Sequence, residues 1–269
     1  MTTVQPTHRI VQLSDLHLTA EHRPLHGVLD SDALLQAAFD RVAARGLRVD
    51  AFVCSGDLAD AGAPDAYRRL RAILDEQSAR FGCPVLVGMG NHDERGSFHE
   101  HLLGSARTQD EIDSVTDVRG LRIVHLDSSV PASGYGELTG SQLARLRDVL
   151  SSPAPHGTAL VVHHPPVPVP TPLLQPYDFR STEALAEVVG GTDVRVILSG
   201  HWHVAATSAL AGVPVVISRA VAYDNDPASA QDGYQATRGD QGFTIVEFFE
   251  GQVLATSVPI AAPDALETA

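Results

Sequence analysis

Gly200-His201-Trp202-His203, which follows the apolar run Val194 to Leu198, is the stretch whose reading decides the fold. Four further short motifs precede it, each at the end of its own apolar run. They are Asp15-Leu16-His17, Gly56-Asp57, Gly90-Asn91-His92-Asp93 and His163-His164-Pro165. Any one of these arises by chance in many chains; five in this order, each behind a strand, describe one site. The candidate donors are Asp15, His17, Asp57, Asn91, His163, His201 and His203. Imidazole suits zinc, iron, nickel and copper, whereas carboxylate and carbonyl oxygens suit manganese, magnesium and calcium. A mixed set points to two first-row metals held close together, an arrangement that clamps both sides of an in-line phosphoryl displacement.

Strands and helices alternate around these motifs. Strands are predicted over Arg9–Leu13, Ala51–Cys54, Pro84–Val87, Leu121–Leu126, Thr158–Val162 and Val194–Leu198. Helices are predicted from Ser31 or Asp32 to Ala44, from Pro64 through Ala79, from the capping box at Thr139 to Leu150, and over Ser181–Val189. The last third reads as strands: Val213–Ser218, Phe243–Phe249 and Val253–Val258, with Glu250-Gly251 as a hairpin turn. Residues 105 to 119 read as a polar stretch without regular structure. Every motif falls just beyond the C-terminal end of a strand, where open α/β sheets place ligands. Residues 165 to 176 contain six prolines and are expected to form an irregular surface loop beside the site.

Composition narrows the partners. The 269 residues carry a formal charge of −14, which argues against a nucleic-acid polymer, since backbone binding needs clustered Lys and Arg. A small anion responds to the local field instead, and two divalent cations against two aspartates make that field positive. No apolar run is long enough to span a membrane, and Met1 to Pro6 lacks the basic and apolar regions of a signal peptide. A cytoplasmic protein is expected, with Cys54 and Cys83 as free thiols.

The five motifs resemble those of the calcineurin-like metallophosphoesterases over nearly the whole chain. In the form Asp57-Leu58-Ala59-Asp60, Gly90-Asn91-His92-Asp93 and His163-His164-Pro165-Pro166, they are most similar to the class III cyclic nucleotide phosphodiesterases. Ser129-Val130-Pro131 and Gly191-Thr192-Asp193-Val194-Arg195 are similar to the mycobacterial 3′,5′-cAMP type. The resemblance implies an α/β fold, a four-layer αββα sandwich of two mixed sheets. It implies one domain over 1–258; residues 259–269 read from the sequence as a flexible tail. Asp15, His17 and His203 would hold one metal, Asn91, His163 and His201 the other, and Asp57 would bridge them. Iron with manganese or zinc is the implied pair, with Mn2+ activating, and a homodimer is the implied assembly. A water or hydroxide between the metals would be acidified into the nucleophile. His92 is expected to act on the departing oxygen, with Asp60 orienting it through the GDxxD pattern. The expected reaction opens 3′,5′-cyclic AMP or cyclic GMP to the 5′-monophosphate. A glycerophosphodiesterase-like activity is the alternative, and a metal-binding regulatory protein with little turnover is the alternative of another class.

Other residues have plainer readings. His8, His99, His101, His125 and His156 are expected in the core or on the surface, and Trp202 is expected to fill space behind the metals. His22 and His26, in the loop Thr19 to Gly27, are candidates for the substrate rim, and His164 for a partner of the ligands. The rim is expected from the loops over residues 165–176 and 19–27 with the chain around Tyr223. These hold few aromatics, so base recognition is expected to be loose, with a KM for cyclic AMP at or above the ~1 mM upper end of the usual range.

Overall fold

The apolar runs assemble into two large sheets that lie face to face. The computed structural model of the protein describes residues 5–226 and 235–262. One sheet has the order β13 (Gln252–Pro259), β12 (Gly242–Phe249), β1 (His8–Leu13), β2 (Ala51–Ser55), β3 (Val85–Gly88). Its last three strands run parallel, while β12 and β13 are antiparallel to their neighbours. The other has the order β4 (Ser114–Val118), β5 (Leu121–Leu126), β6 (Thr158–Val162), β7 (Val194–Ser199), β9 (Val213–Ile217), β8 (Ala206–Leu210). There β5, β6, β7 and β9 are parallel, with β4 and β8 as antiparallel edges. A two-stranded ribbon, β10 (Asp224–Asn225) with β11 (Ala236–Thr237), stands apart from both.

Alternation along each strand divides the core into layers. Ile10, Ala51, Val53, Val246 and Phe248 of the first sheet meet Ile123, Ala159, Val161, Val196 and Leu198 of the second in one buried cluster. The opposite faces bury Val11, Leu13 and Phe52 under the helices Ser31–Ala43 and Pro64–Phe81. On the other side Leu160, Val162 and Ile197 lie under Gly140–Leu150 and Thr182–Val189. The result is the four-layer αββα sandwich. Strands covered on both faces must be apolar throughout, which is why these runs show no polar alternation in the sequence.

The helix ends carry the expected devices. The Asp30 side chain accepts from Ala33 N–H, Pro64 opens its helix, Gly82 closes it in the left-handed region, and Thr139 and Gln142 complete the capping box. Four features differ from the sequence expectation. Strand β4 lies within the stretch expected to be irregular; as an edge strand it is only half covered, so its residues are largely polar. Strand β8, Ala206–Leu210, is a second polar edge of the same kind. The Pro-rich loop ends in a 3-10 turn over Pro172–Tyr177, where prolines fit because their fixed φ matches that turn. The expected tail begins too early: Pro259 closes β13, Ile260 N–H donates to Gln241 O at 2.9 Å, and residues 263–269 lie outside the described residues.

Gln12, fully buried, ties the sheets together beneath the motif turns. Its amide donates to Ser55 Oγ at 2.9 Å and across to the Ser199 carbonyl at 2.8 Å. No helix among the described residues is long and apolar enough to cross a membrane.

Candidate metal centre

Strands β1, β2 and β3 of one sheet and β6 and β7 of the other end on the same side, and the five motifs leave from those ends. The backbone there is turned sharply. Asp15, His17, Asp57, His201 and His203 all adopt positive φ, between 46° and 71°. Few residues other than glycine occupy this region, and such strain gathers where a site demands it. The turning explains how His201 and His203, two residues apart, part company. On an extended segment they would point the same way; here they join different groups of donors.

Those groups are the central feature of the site. The ligand atoms of Asp15, His17, Asp57 and His203 lie within 4.8 Å of one another, and so do those of Asp57, His163 and His201. Asp57 belongs to both. The His17 and His203 Nε2 atoms are 3.1 Å apart, and His163 Nε2 is 3.3 Å from Asp57 Oδ2. Asn91 lines the same cavity as Asp57, His92, His201 and His203.

The donors also pass a test of fit for metals. A ligating imidazole needs one nitrogen free and the other anchored by an acceptor that sets its tautomer. His163 Nδ1 is 2.9 Å from the Ser55 carbonyl, His203 Nδ1 is 2.8 Å from the Tyr223 carbonyl, and His201 Nε2 is 2.9 Å from the Tyr177 carbonyl. His17 Nδ1 is 3.1 Å from Asp60 Oδ1. His163 Nε2 and Asn91 Oδ1 are buried with no hydrogen-bond partner, a cost that a cation between them would remove. His164 differs: Ser128 Oγ engages one nitrogen at 2.8 Å and Gly134 O the other at 3.2 Å. With both nitrogens taken, it supports the ring of His201, 4.4 Å away, instead of joining the donors.

A family model described as calcineurin-like phosphoesterase matches residues 8–205. The chain belongs to that family. A probable cyclic nucleotide phosphodiesterase of Rhodococcus erythropolis is 40% identical over 258 residues, covering 96% of this chain and 85% of the relative. A cAMP/cGMP dual specificity phosphodiesterase of Mycobacterium tuberculosis is 37% identical over 264 residues, covering 98% and 83%. A dimetal phosphatase from Danio rerio shares the fold, with a TM-score of 0.64 at 17% identity over 96% of this chain and 98% of that one.

Within this calcineurin-like site, Asp60 is arranged differently from the expectation. Its carboxylate accepts a hydrogen bond from His17 Nδ1, at 3.1 Å, and it is the Asp60 backbone carbonyl that holds His92 Nδ1, at 2.8 Å. The carboxylate stands 3.6 Å from the same nitrogen, near enough to favour a positive charge there. Burial disfavours the His92 imidazolium, but Asp57 and the two oxygens of Asp60 outweigh it and raise its pKa above the ordinary value. His92 N–H also donates to Asp57 Oδ1 at 2.9 Å, which fixes the start of its side chain over the donors.

Asp93 is the residue whose part the sequence did not reveal. Its buried carboxylate accepts from Leu58 N–H at 3.1 Å, Ala59 N–H at 3.0 Å, Gly90 N–H at 2.9 Å and Tyr67 Oη at 2.7 Å. It therefore clamps the Asp57 turn to the Asn91 turn. Tyr67 reads in the sequence as one more apolar position on a helix face; only its hydroxyl, invisible to that pattern, makes it part of the clamp. Two glycines permit the same closeness. A Cβ at Gly90 would run into the Asp57 carboxylate, and one at Gly56, at φ 110°, into the His163 ring. At Gly90 the need is for close approach and not for a turn.

Trp202 is buried in the core behind the centre, as expected. Of the two rim candidates, His26 lines the cavity and meets Tyr223 edge-on at 4.8 Å, whereas His22 turns away to Asp30, at 3.1 Å.

The donors predict how metal loading depends on pH. Burial opposes a charge on His163, but the Asp57 and Asp15 carboxylates prevail and raise its pKa to about 9. A cation takes the neutral imidazole, so below about pH 9 loading must expel this proton. Apparent affinity should then weaken as pH falls below that value, by up to about tenfold per unit from this group. Metal titrations at pH 6 and 8 in weak buffer check this; equal affinities and no proton release would contradict it.

Proposed function

We propose that the protein is a binuclear metal-dependent phosphodiesterase that opens 3′,5′-cyclic nucleotides, cyclic AMP or cyclic GMP, to their 5′-monophosphates. The observation that carries the reading is the pair of donor groups that share Asp57. Asp15, His17 and His203 would hold one cation, Asn91, His163 and His201 the other, with Asp57 between them. Iron paired with manganese or zinc suits this mixture of carboxylate, amide and imidazole donors. When bound, two such cations would supply positive charge for the phosphoryl oxygens and lower the pKa of a coordinated water.

The chain's own residues do the rest. The anchored second nitrogens of His17, His163, His201 and His203 keep four rings in place before any substrate arrives, so little reorganisation is needed. His92 is held over the donors by the Asp60 carbonyl, and the Asp57 and Asp60 carboxylates shift its pKa upward against the effect of burial. As the attacking water oxygen forms its bond to phosphorus and its proton passes to solvent, the bond to the ribose 3′-oxygen breaks and the free Nε2 of His92 donates a proton to that oxygen. The similarity to relatives named as cyclic nucleotide phosphodiesterases supports this substrate class.

The test is kcat/KM over a panel of cyclic AMP, cyclic GMP, glycerophosphodiesters and bis(p-nitrophenyl) phosphate, with metal content measured on the same preparation. Turnover of the cyclic nucleotides with about two metals per chain is expected. Preference for glycerophosphodiesters would shift the substrate, and two bound metals without turnover of any diester would leave a metal-binding protein.

A further inference from the structure

The cavity over the donors, about 470 Å3, has two unlike walls. Over the Asp57–His203 side stand His92, His26 and Tyr223: Tyr223 lies 4.2 Å from His203 and 4.8 Å from His26, and His92 packs edge-on against His17 at 4.7 Å. Over the His201 side stands the 3-10 turn Pro172–Tyr177, which contributes Leu173, Leu174 and Tyr177. Leu174 is buried, but Leu173 is 45% and Tyr177 46% exposed. Large apolar side chains left half in water at the mouth of a polar cavity are informative where scattered ones are not.

The turn is also fixed relative to the donors. The Tyr177 carbonyl anchors His201 Nε2 at 2.9 Å. The Tyr177 ring lies against the Gly134 backbone so closely that a Cβ there would strike Cδ1. Gly134 O is in turn held by His164, whose ring supports His201 at 4.4 Å. A flat group resting on the exposed side of Tyr177 would thus be placed in register with a phosphate on the donors. Pro172 and Pro176 fix φ at two of the turn's six positions.

We propose that Leu173 and Tyr177 form the platform that receives the base of the nucleotide. This deepens the cyclic nucleotide reading and names the residues that select a nucleoside over a simple alcohol. The expectation of loose base recognition came from the composition of the loops. The Pro-rich part of that rim stops at Pro176, one residue short of the Tyr177 ring that folding brings to the cavity, whereas the chain around Tyr223 is included.

The experiment compares dissociation constants of 5′-AMP and ribose 5-phosphate on the metal-loaded protein, two ligands that differ only in the base. The native chain should bind 5′-AMP at least about tenfold more tightly, in line with stacking on an exposed ring. In the Leu173→Ser, Tyr177→Ala double variant the ratio should fall towards one, and Tyr177→Phe should retain it. Since Tyr177→Ala keeps the carbonyl that anchors His201, and Leu173→Ser alone lies at an exposed position, at least one variant reports even if the other loses metal. Equal binding of the two ligands by the native chain, or a ratio that survives the double variant, overturns the platform. A chain that cleaves bis(p-nitrophenyl) phosphate but not cyclic AMP would defeat the substrate reading instead, and the binding ratio would still decide the platform.

Discussion

Asp57→Ala is expected to lose at least one of the two metals and nearly all phosphodiesterase activity. Asp57 is the one residue common to both groups of donors, so its removal damages both halves at once. The loss should go well beyond the roughly 10–100-fold that follows removal of an outer partner of a ligand. The substitution also takes away the acceptor for His92 N–H and the charge that keeps His163 cationic in the absence of metal. Asp57→Asn separates these effects, because an amide oxygen still accepts from His92 N–H but carries no charge to share between two cations. Elemental analysis decides the matter: full metal content in Asp57→Ala would sink the bridging assignment.

His92→Ala should keep both metals and lose kcat by roughly 10²–10⁴-fold on cyclic AMP, the range for a positioned general acid. The side chain is half open to the cavity and bonded through Nδ1 to a backbone carbonyl, so its removal disturbs no donor's anchor. A p-nitrophenyl ester has a leaving group that needs little protonation, so the loss there should be smaller. Equal losses on both substrates would mean that His92 stabilises charge without delivering a proton. Loss of metal from the variant would make it a ligand.

Much of this was legible in the chain because it rests on local chemistry. A strand buried on both faces must be apolar, and a turn at its end that carries Asp, Asn or His in a fixed order leaves those residues in the sequence for inspection. Asp15, His17, Asp57, Asn91, His163, His201 and His203 could therefore be named from spacing and resemblance, and the structure brings all seven to one place. His163 is preferred over its neighbour from its place before Pro165; its Nε2 has no hydrogen-bond partner, whereas both nitrogens of His164 are engaged.

Sequence by itself determined the strand ends and the candidate donors, since periodicity and residue type act over a few positions and need no partner from afar; the layers were implied by the resemblance. Which groups serve the donors was decided only by tertiary structure. Asp60 meets His17 through its carboxylate and His92 through its carbonyl, Asp93 gathers donors from two turns and from Tyr67, and Tyr177 offers His201 its carbonyl and the cavity its ring. Apart from the local bond from Gly90 N–H to Asp93, these contacts join segments distant along the chain. Backbone atoms, present in every residue, form many of them, so no pattern of side chains could have announced where they would meet.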